Sequence, residues 1–185
     1  MLTQEQAIAL VKDTLPSDQD IVQDATIERD YGWVIFFQTK RYIETKNIAD
    51  ALCGPRGVLV EKSTARLISF SSAFATETSL AVYEAGYLDH PDFDIVVKEV
   101  ADIEAAATLL RLLNITYVKP EFAHGETWRI PTPYSIDRLL EMLRTLPCRF
   151  NLGSVYLKWK SLELVRQSRA IEFELTPNNR FRNEI

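Results

Sequence analysis

The sequence predicts an α+β fold: an antiparallel sheet packed against helices, with a second mixed α/β region in the C-terminal half. Three observations carry this. Residues Trp33–Thr39 read as a strand that is apolar on both faces, with Trp33, Ile35 and Phe37 pointing one way and Val34 and Phe36 the other. Such a strand sits centrally in a sheet or leaves one aromatic face free for a partner. Thr3 and Gln6 have capping-box spacing ahead of Ala7, Ile8, Leu10, Val11 and Leu15, which places a helix before that strand. Near the C-terminus, Ile171, Phe173 and Leu175 alternate with Glu172 and Glu174, as in a half-buried strand.

The elements follow in order. Pro16-Ser17-Asp18 stops the first helix. A strand over about Ile21–Arg29 then presents Ile21, Ala25 and Ile27 inward and Asp24, Thr26 and Glu28 outward. Asp30-Tyr31-Gly32 is a tight turn that joins it to Trp33–Thr39 as a hairpin. Residues 40–56 read as irregular, and Gly54-Pro55-Arg56-Gly57 is a turn. Val58–Glu61 and Arg66–Phe70 form a second hairpin around Lys62-Ser63-Thr64-Ala65. Thr76 caps a helix through Leu80, Tyr83 and Tyr87. The domain boundary is placed at Gly86–Asp92, giving a first domain of residues 1–88, a second region of 89–175 and a mobile tail of 176–185.

In the second region, Phe93–Val100 is a strand and Asp102 caps a helix with Ile103, Ala106, Ala107, Leu110 and Leu113 on one face. Ile115–Lys119 and Glu126–Ile130 are short strands. Ser135 caps a helix with Ile136, Leu139, Leu140, Leu143 and Leu146, ended by Pro147. Val155, Leu157 and Trp159 alternate with Tyr156, Lys158 and Lys160, which reads as a strand buried on one side.

Composition narrows the function classes. Hydrophobic residues make up 46% and charged residues 25% of 185, an ordinary globular balance. No apolar run approaches a membrane span, and no secretory pattern opens the chain, so the cytoplasm is the expected compartment. Cys53 and Cys148 are too far apart in sequence to suggest a disulfide framework or a cysteine metal site. The net charge of −5 disfavours nucleic acid as partner. Residues 1–88 hold 8 basic and 12 acidic side chains, against 13 and 14 in residues 89–185. The acidity belongs to the first half, and a basic partner is expected there.

Catalytic motifs are weak. His124-Gly125-Glu126 with Pro147-Cys148 matches the first parts of a zinc deaminase signature, but Asn151 stands where the second thiolate belongs. A nucleophilic set of Cys148, His124 and Asp137 has no local signature, and Cys148 reads as a small buried hydrophobe. Gly54-Pro55-Arg56-Gly57 lacks the ending of a phosphate loop. Tyr156–Lys160 could stack on single-stranded nucleic acid, although burial of Trp159 is the plainer reading. No metal and no cofactor is expected.

The strand Asp30–Gln38, together with Arg41-Tyr42, Ala51-Leu52-Cys53-Gly54, Val58-Leu59-Val60 and Tyr83-Glu84, resembles the YrhB-like immunity family of bacterial polymorphic toxin systems. The resemblance covers about residues 3–88. It departs from the family's pattern at Ser63-Thr64-Ala65, where a glycine is usual, and at the short Pro55-Arg56-Gly57 stretch. It implies a small α+β domain that is not an enzyme and that binds and blocks a cognate toxin. The residues expected at the toxin surface are Asp24, Glu28 and Asp30, with Arg41 and Tyr42 beside them. Two alternatives stay open. One is an enzyme with a site near His124, Glu126 and Cys148; the other is a chaperone-like module with exposed aromatics.

Overall fold

A computed structural model describes residues 1–54, 57–88, 90 and 92–178. The chain divides into two compact units, Met1–Ala81 and Val82–Ile185.

The first unit begins with helix α1, Gln4–Lys12. Its capping box forms as expected: Gln6 N donates to Thr3 Oγ1 at 3.3 Å, and Thr3 N donates to Gln6 Oε1 at 3.0 Å. The strands are β1 (Gln19–Ile21), β2 (Ile27–Arg29), β3 (Gly32–Thr39), β4 (Gly57–Glu61) and β5 (Leu67–Ser69), all antiparallel to their neighbours. β3 is central, as its two apolar faces predict. It pairs with β1 and β2 on one side and with β4 on the other, and β5 closes the far edge. Ile35, Val58 and Val60 pack with Ala7 and Val11 of α1 and with Ile21, and Trp33 and Phe37 flank this cluster. Val34, Leu59 and Ile68 line up across three strands on the opposite face and are buried there.

The expected strand Ile21–Arg29 is broken. Ile21 pairs with Phe37 and Ile27 with Val34, so six steps on this segment span only three on β3. The three surplus residues coil into a 3₁₀ turn, Gln23–Ala25, with Val22 N donating to Phe36 O at 2.8 Å. An odd offset on β3 reverses the face. Ile21 therefore shares the α1 side with Phe37, whereas Ile27 shares the other side with Val34; one continuous inner face does not exist.

Residues 40–56 are also more regular than their sequence suggests. Helix α2, Lys40–Thr45, starts where Tyr42 N donates to Thr39 Oγ1 at 3.0 Å. A 3₁₀ turn, Ile48–Asp50, follows, capped by Asn47. Neither segment buries a residue, so no hydrophobic period marks either one. Part of the expected turn at Gly54–Gly57, residues 55 and 56, lies outside the described residues.

Helix α3, Thr76–Glu84, begins at Thr76 itself, and the step between the two units falls within it. Gly86 closes it with a φ of 75°, so Tyr87 lies beyond the helix and not in it.

The second unit has a sheet of order β10-β6-β9-β7-β8. β6 is Phe93–Val100, and helix α4 (Ile103–Leu112) is capped by Asp102, whose carboxylate accepts from Glu104 N and Ala105 N. Ala106, Ala107, Leu110 and Leu113 are buried, as the spacing predicts. The two strands expected to be short are long: β7 runs Thr116–Ala123 and β8 runs Glu126–Pro133. Helix α5 is Ile136–Leu143, capped by Ser135. β9, Cys148–Gly153, follows. Residues 155–159 are not a strand. They open helix α6, Val155–Gln167, which buries Val155, Trp159, Leu162 and Val165 and leaves Leu157 exposed. The alternation over five residues is also the start of a longer helical period, and the longer period wins. β10 is Ile171–Pro177, so the tail does not start at Thr176. Asn178 is buried as well, and its Nδ2 donates to Asp94 Oδ1 at 2.8 Å. The rest of the expected tail, residues 179–185, lies outside the described residues.

Candidate functional site

The expected binding residues sit along one edge of the first sheet. Asp24 is exposed in the 3₁₀ turn between β1 and β2. Asp30 is exposed in the two-residue turn between paired Arg29 and Gly32. Arg41 and Tyr42 follow the other end of β3, on α2. Asp30 and Arg41 thus bracket an eight-residue strand, about 25 Å at a rise of about 3.3 Å per residue. The five residues form a line along the edge, not a pocket.

Two of them are already engaged. Glu28 pairs with Trp33 in register and so lies on the α1 side of the sheet. Its carboxylate meets Lys62 Nζ at 2.8 Å. Lys62 also donates to Arg29 O at 2.7 Å and lies 4.6 Å from the centroid of the Trp33 ring. Trp33 Nε1 donates to Leu2 O at 3.1 Å, and Leu2 N donates to Lys62 O at 3.2 Å. The side chain of Glu28 is 62% exposed and that of Lys62 only 12%. Glu28 therefore steadies a nearly buried cation beside Trp33, while the Lys62 backbone oxygen and the Trp33 indole hold Leu2, just ahead of α1. Arg41 Nε lies 3.1 Å from Asp50 Oδ1, an ion pair within the α2 region. Tyr42 is half-buried. On the neighbouring β1, the hydrogen bond from Ile21 N, with Lys12 second, holds the Asp20 carboxyl below its ordinary range.

The residues of the enzyme alternative are not brought together. His124 and Gly125 form the turn of the β7–β8 hairpin, with φ of 54° and 83°, and Glu126 pairs with Ala123 beside it. The hairpin meets β9 at its opposite end, through Thr116 and Asn151. Cys148 is buried in β9, and burial pushes its thiol up, away from a reactive thiolate. Cys53 is exposed, and both cysteines are free thiols. Among the described residues, no group of three or more His, Cys, Asp or Glu side chains could hold a metal ion. The Tyr156–Lys160 run is no stacking platform. Trp159 is buried under Arg166, and Lys158, whose pKa burial lowers, donates to Asn114 O at 3.1 Å. No helix among the described residues is long and apolar enough to cross a membrane.

Sequence reasoning missed one surface. The β7–β8 hairpin leaves Val118 52%, Phe122 77%, Trp128 54% and Ile130 40% exposed. Register places Val118 and Phe122 on one face, opposite Pro131 and Thr127, and Trp128 and Ile130 on the other, opposite Glu121 and Lys119. Pro120, Pro131 and Pro133 were the available signal: three prolines in two strands mark edges, not a core.

Residues 5–86 match the family described as Immunity protein 35, a span that holds α1 apart from Gln4, all of β1–β5, α2 and α3. Neither the curated proteins nor the solved structures contain a match. Residues 5–86 are thus similar to an immunity protein family. The hairpin lies outside the matched span.

Proposed function

We propose that this chain is an immunity protein that binds and neutralises a cognate bacterial toxin of a polymorphic toxin system, acting in the cytoplasm, with its immunity domain in residues 1–88 and of the YrhB-like kind. The match of residues 5–86 to Immunity protein 35 supports the immunity part of this reading; the YrhB-like kind rests on the sequence resemblance. The contact runs along the β1–β2 edge, from Asp30 and Glu28 past Asp24 to Arg41 and Tyr42. Its acidic members steer a basic toxin, and Tyr42 anchors it. No cofactor or nucleic acid takes part.

The toxin domain encoded beside this chain's gene is the test partner. Co-production should rescue growth, and the purified pair should bind tightly. Asp24→Lys with Asp30→Lys leaves the Glu28–Lys62–Trp33 contact untouched, so the fold should survive. Association at low salt should slow about tenfold or more, and the gap should close at high salt. An unchanged rate at low salt removes this edge from the interface. A wild-type chain that neither binds nor protects overturns the immunity reading.

A further inference from the structure

The β7–β8 hairpin is an arm. Its eight rungs join the sheet only at the base, and its two faces carry Val118 with Phe122 and Trp128 with Ile130 in solvent. Soluble surfaces rarely keep such a group without a partner. We propose that this arm is a toxin-binding element that inserts into an apolar-walled cleft of the toxin. This rests on the immunity reading above and adds to it a second contact, in residues that the family match does not cover.

The geometry selects that occupant. Strand addition along β8 is blocked. Thr116↔Pro133, Val118↔Pro131 and Pro120↔Arg129 fall on rungs of one parity, so the residues whose N–H would face an added strand are Thr127, Arg129, Pro131 and Pro133. Two of those four have no N–H to give. A second copy laid flat against one face also falls short. One face is about 26 Å long and about 10 Å wide, or roughly 260 Å². A stable complex covers about 800 Å² per partner. A cleft that closes around the arm takes both faces, an outer edge of about 26 Å by 10 Å and the His124-Gly125 tip, roughly 800–900 Å² in all, which reaches the size a stable complex needs. It also makes sense of apolar side chains on both faces, where a flat partner would use one. The ion pair of Lys119 and Glu121, 2.8 Å apart, shares the face of Trp128 and Ile130 and gives the cleft one polar landmark.

The test uses the full chain and the double variant Phe122→Ser, Trp128→Ser, titrated calorimetrically with the toxin domain encoded beside the gene. We expect affinity to fall about 100-fold or more, the size of a hot-spot loss, with an unchanged melting curve. Ile130→Thr is the milder second variant should the double variant fold poorly, and it should weaken binding about tenfold. Equal affinity of wild type and both variants overturns the arm proposal while the immunity reading stands. Failure of the wild type to bind overturns that reading and the arm with it. Light scattering of the free chain should show a monomer. A dimer that the double variant dissolves, or cosedimentation with phosphatidylserine–phosphatidylcholine vesicles that the double variant abolishes, would overturn the proposal in favour of self-association or a membrane.

Discussion

β3 and the two strands of the β7–β8 arm have the same length, eight residues, and both structures carry large apolar side chains on two faces: β3 by itself, the arm through Val118 and Phe122 of β7 on one face and Trp128 and Ile130 of β8 on the other. Their fates are opposite. Val34 and Ile35, on the two faces of β3, are fully buried, whereas Phe122 and Trp128, on the two faces of the arm, are mostly in solvent. The difference lies in neighbours. β3 has strands along both sides and α1 across one face; β8 has β7 alone. Apolar character on both faces therefore marks a place to be covered, and topology decides whether this chain or a partner covers it.

The largest expected effect tests that contrast directly. Ile35→Ala opens a cavity among Ala7, Val11 and Val58 and should cost about 2–5 kcal/mol. Phe122→Ala removes a larger side chain but leaves no cavity, so stability should stay within about 0.5 kcal/mol. Urea unfolding of both variants gives the comparison. A loss at Phe122 comparable to that at Ile35 would show that the arm is part of a core.

The same contrast explains what the sequence could and could not tell. The central place of β3, the capping box at Thr3, β6, β10 and the faces of α4 were all legible, because each rests on a local period or a cap. The break at Gln23–Ala25 was not, since it comes from a register on β3 that only pairing sets. α6 was misread because Val155, Leu157 and Trp159 fit a period of two until Leu162 and Val165 are counted. The exposure of Asp24 and Asp30 was legible in their polarity and turn context. The engagement of Glu28 was not, because Lys62 arrives from 34 positions away. The arm was missed because its strands were read as short, ending at Lys119 and Ile130, whereas they run on through Pro120 and Pro131.

Glycines sharpen the comparison at the next level. Gly32 opens β3, and a Cβ there would lie 2.7 Å from both Leu59 Cδ1 and Val60 O. The backbone oxygen cannot move without disturbing the β3–β4 pairing. Gly32→Ala should therefore destabilise by about 1–3 kcal/mol, as overpacking does. At the arm's tip, a Cβ on Gly125 would meet nothing within 4 Å, and only its φ of +83° resists a side chain. Gly125→Ala should cost about 1 kcal/mol or less and leave the rest of the chain's amide exchange unchanged. If both substitutions cost the same, steric closure at Gly32 is not what holds the first sheet together.

The smallest effect compares two ion pairs. Lys119 and Glu121 sit two residues apart on one strand of the arm and link nothing across the fold. Asp20 and Lys12 join β1 to α1 at 3.1 Å, with the aspartate side chain 34% exposed. Partial exposure keeps the value of that pair to a few tenths of a kcal/mol, about 0.5 at most. Its pH dependence has a definite sign. The folded carboxyl titrates below its ordinary 3.8, first through the Ile21 N–H and then through Lys12, so the folded state binds the proton less readily than the unfolded chain. The stabilisation is present above about pH 4 and is lost as pH falls through the lowered folded value. Asp20→Asn should thus cost a few tenths of a kcal/mol near pH 7 and less near pH 2, while Glu121→Gln should leave stability unchanged at both. Urea titrations at the two pH values decide it. A deficit for Asp20→Asn that persists undiminished near pH 2 would mean that shape, not charge, ties β1 to α1.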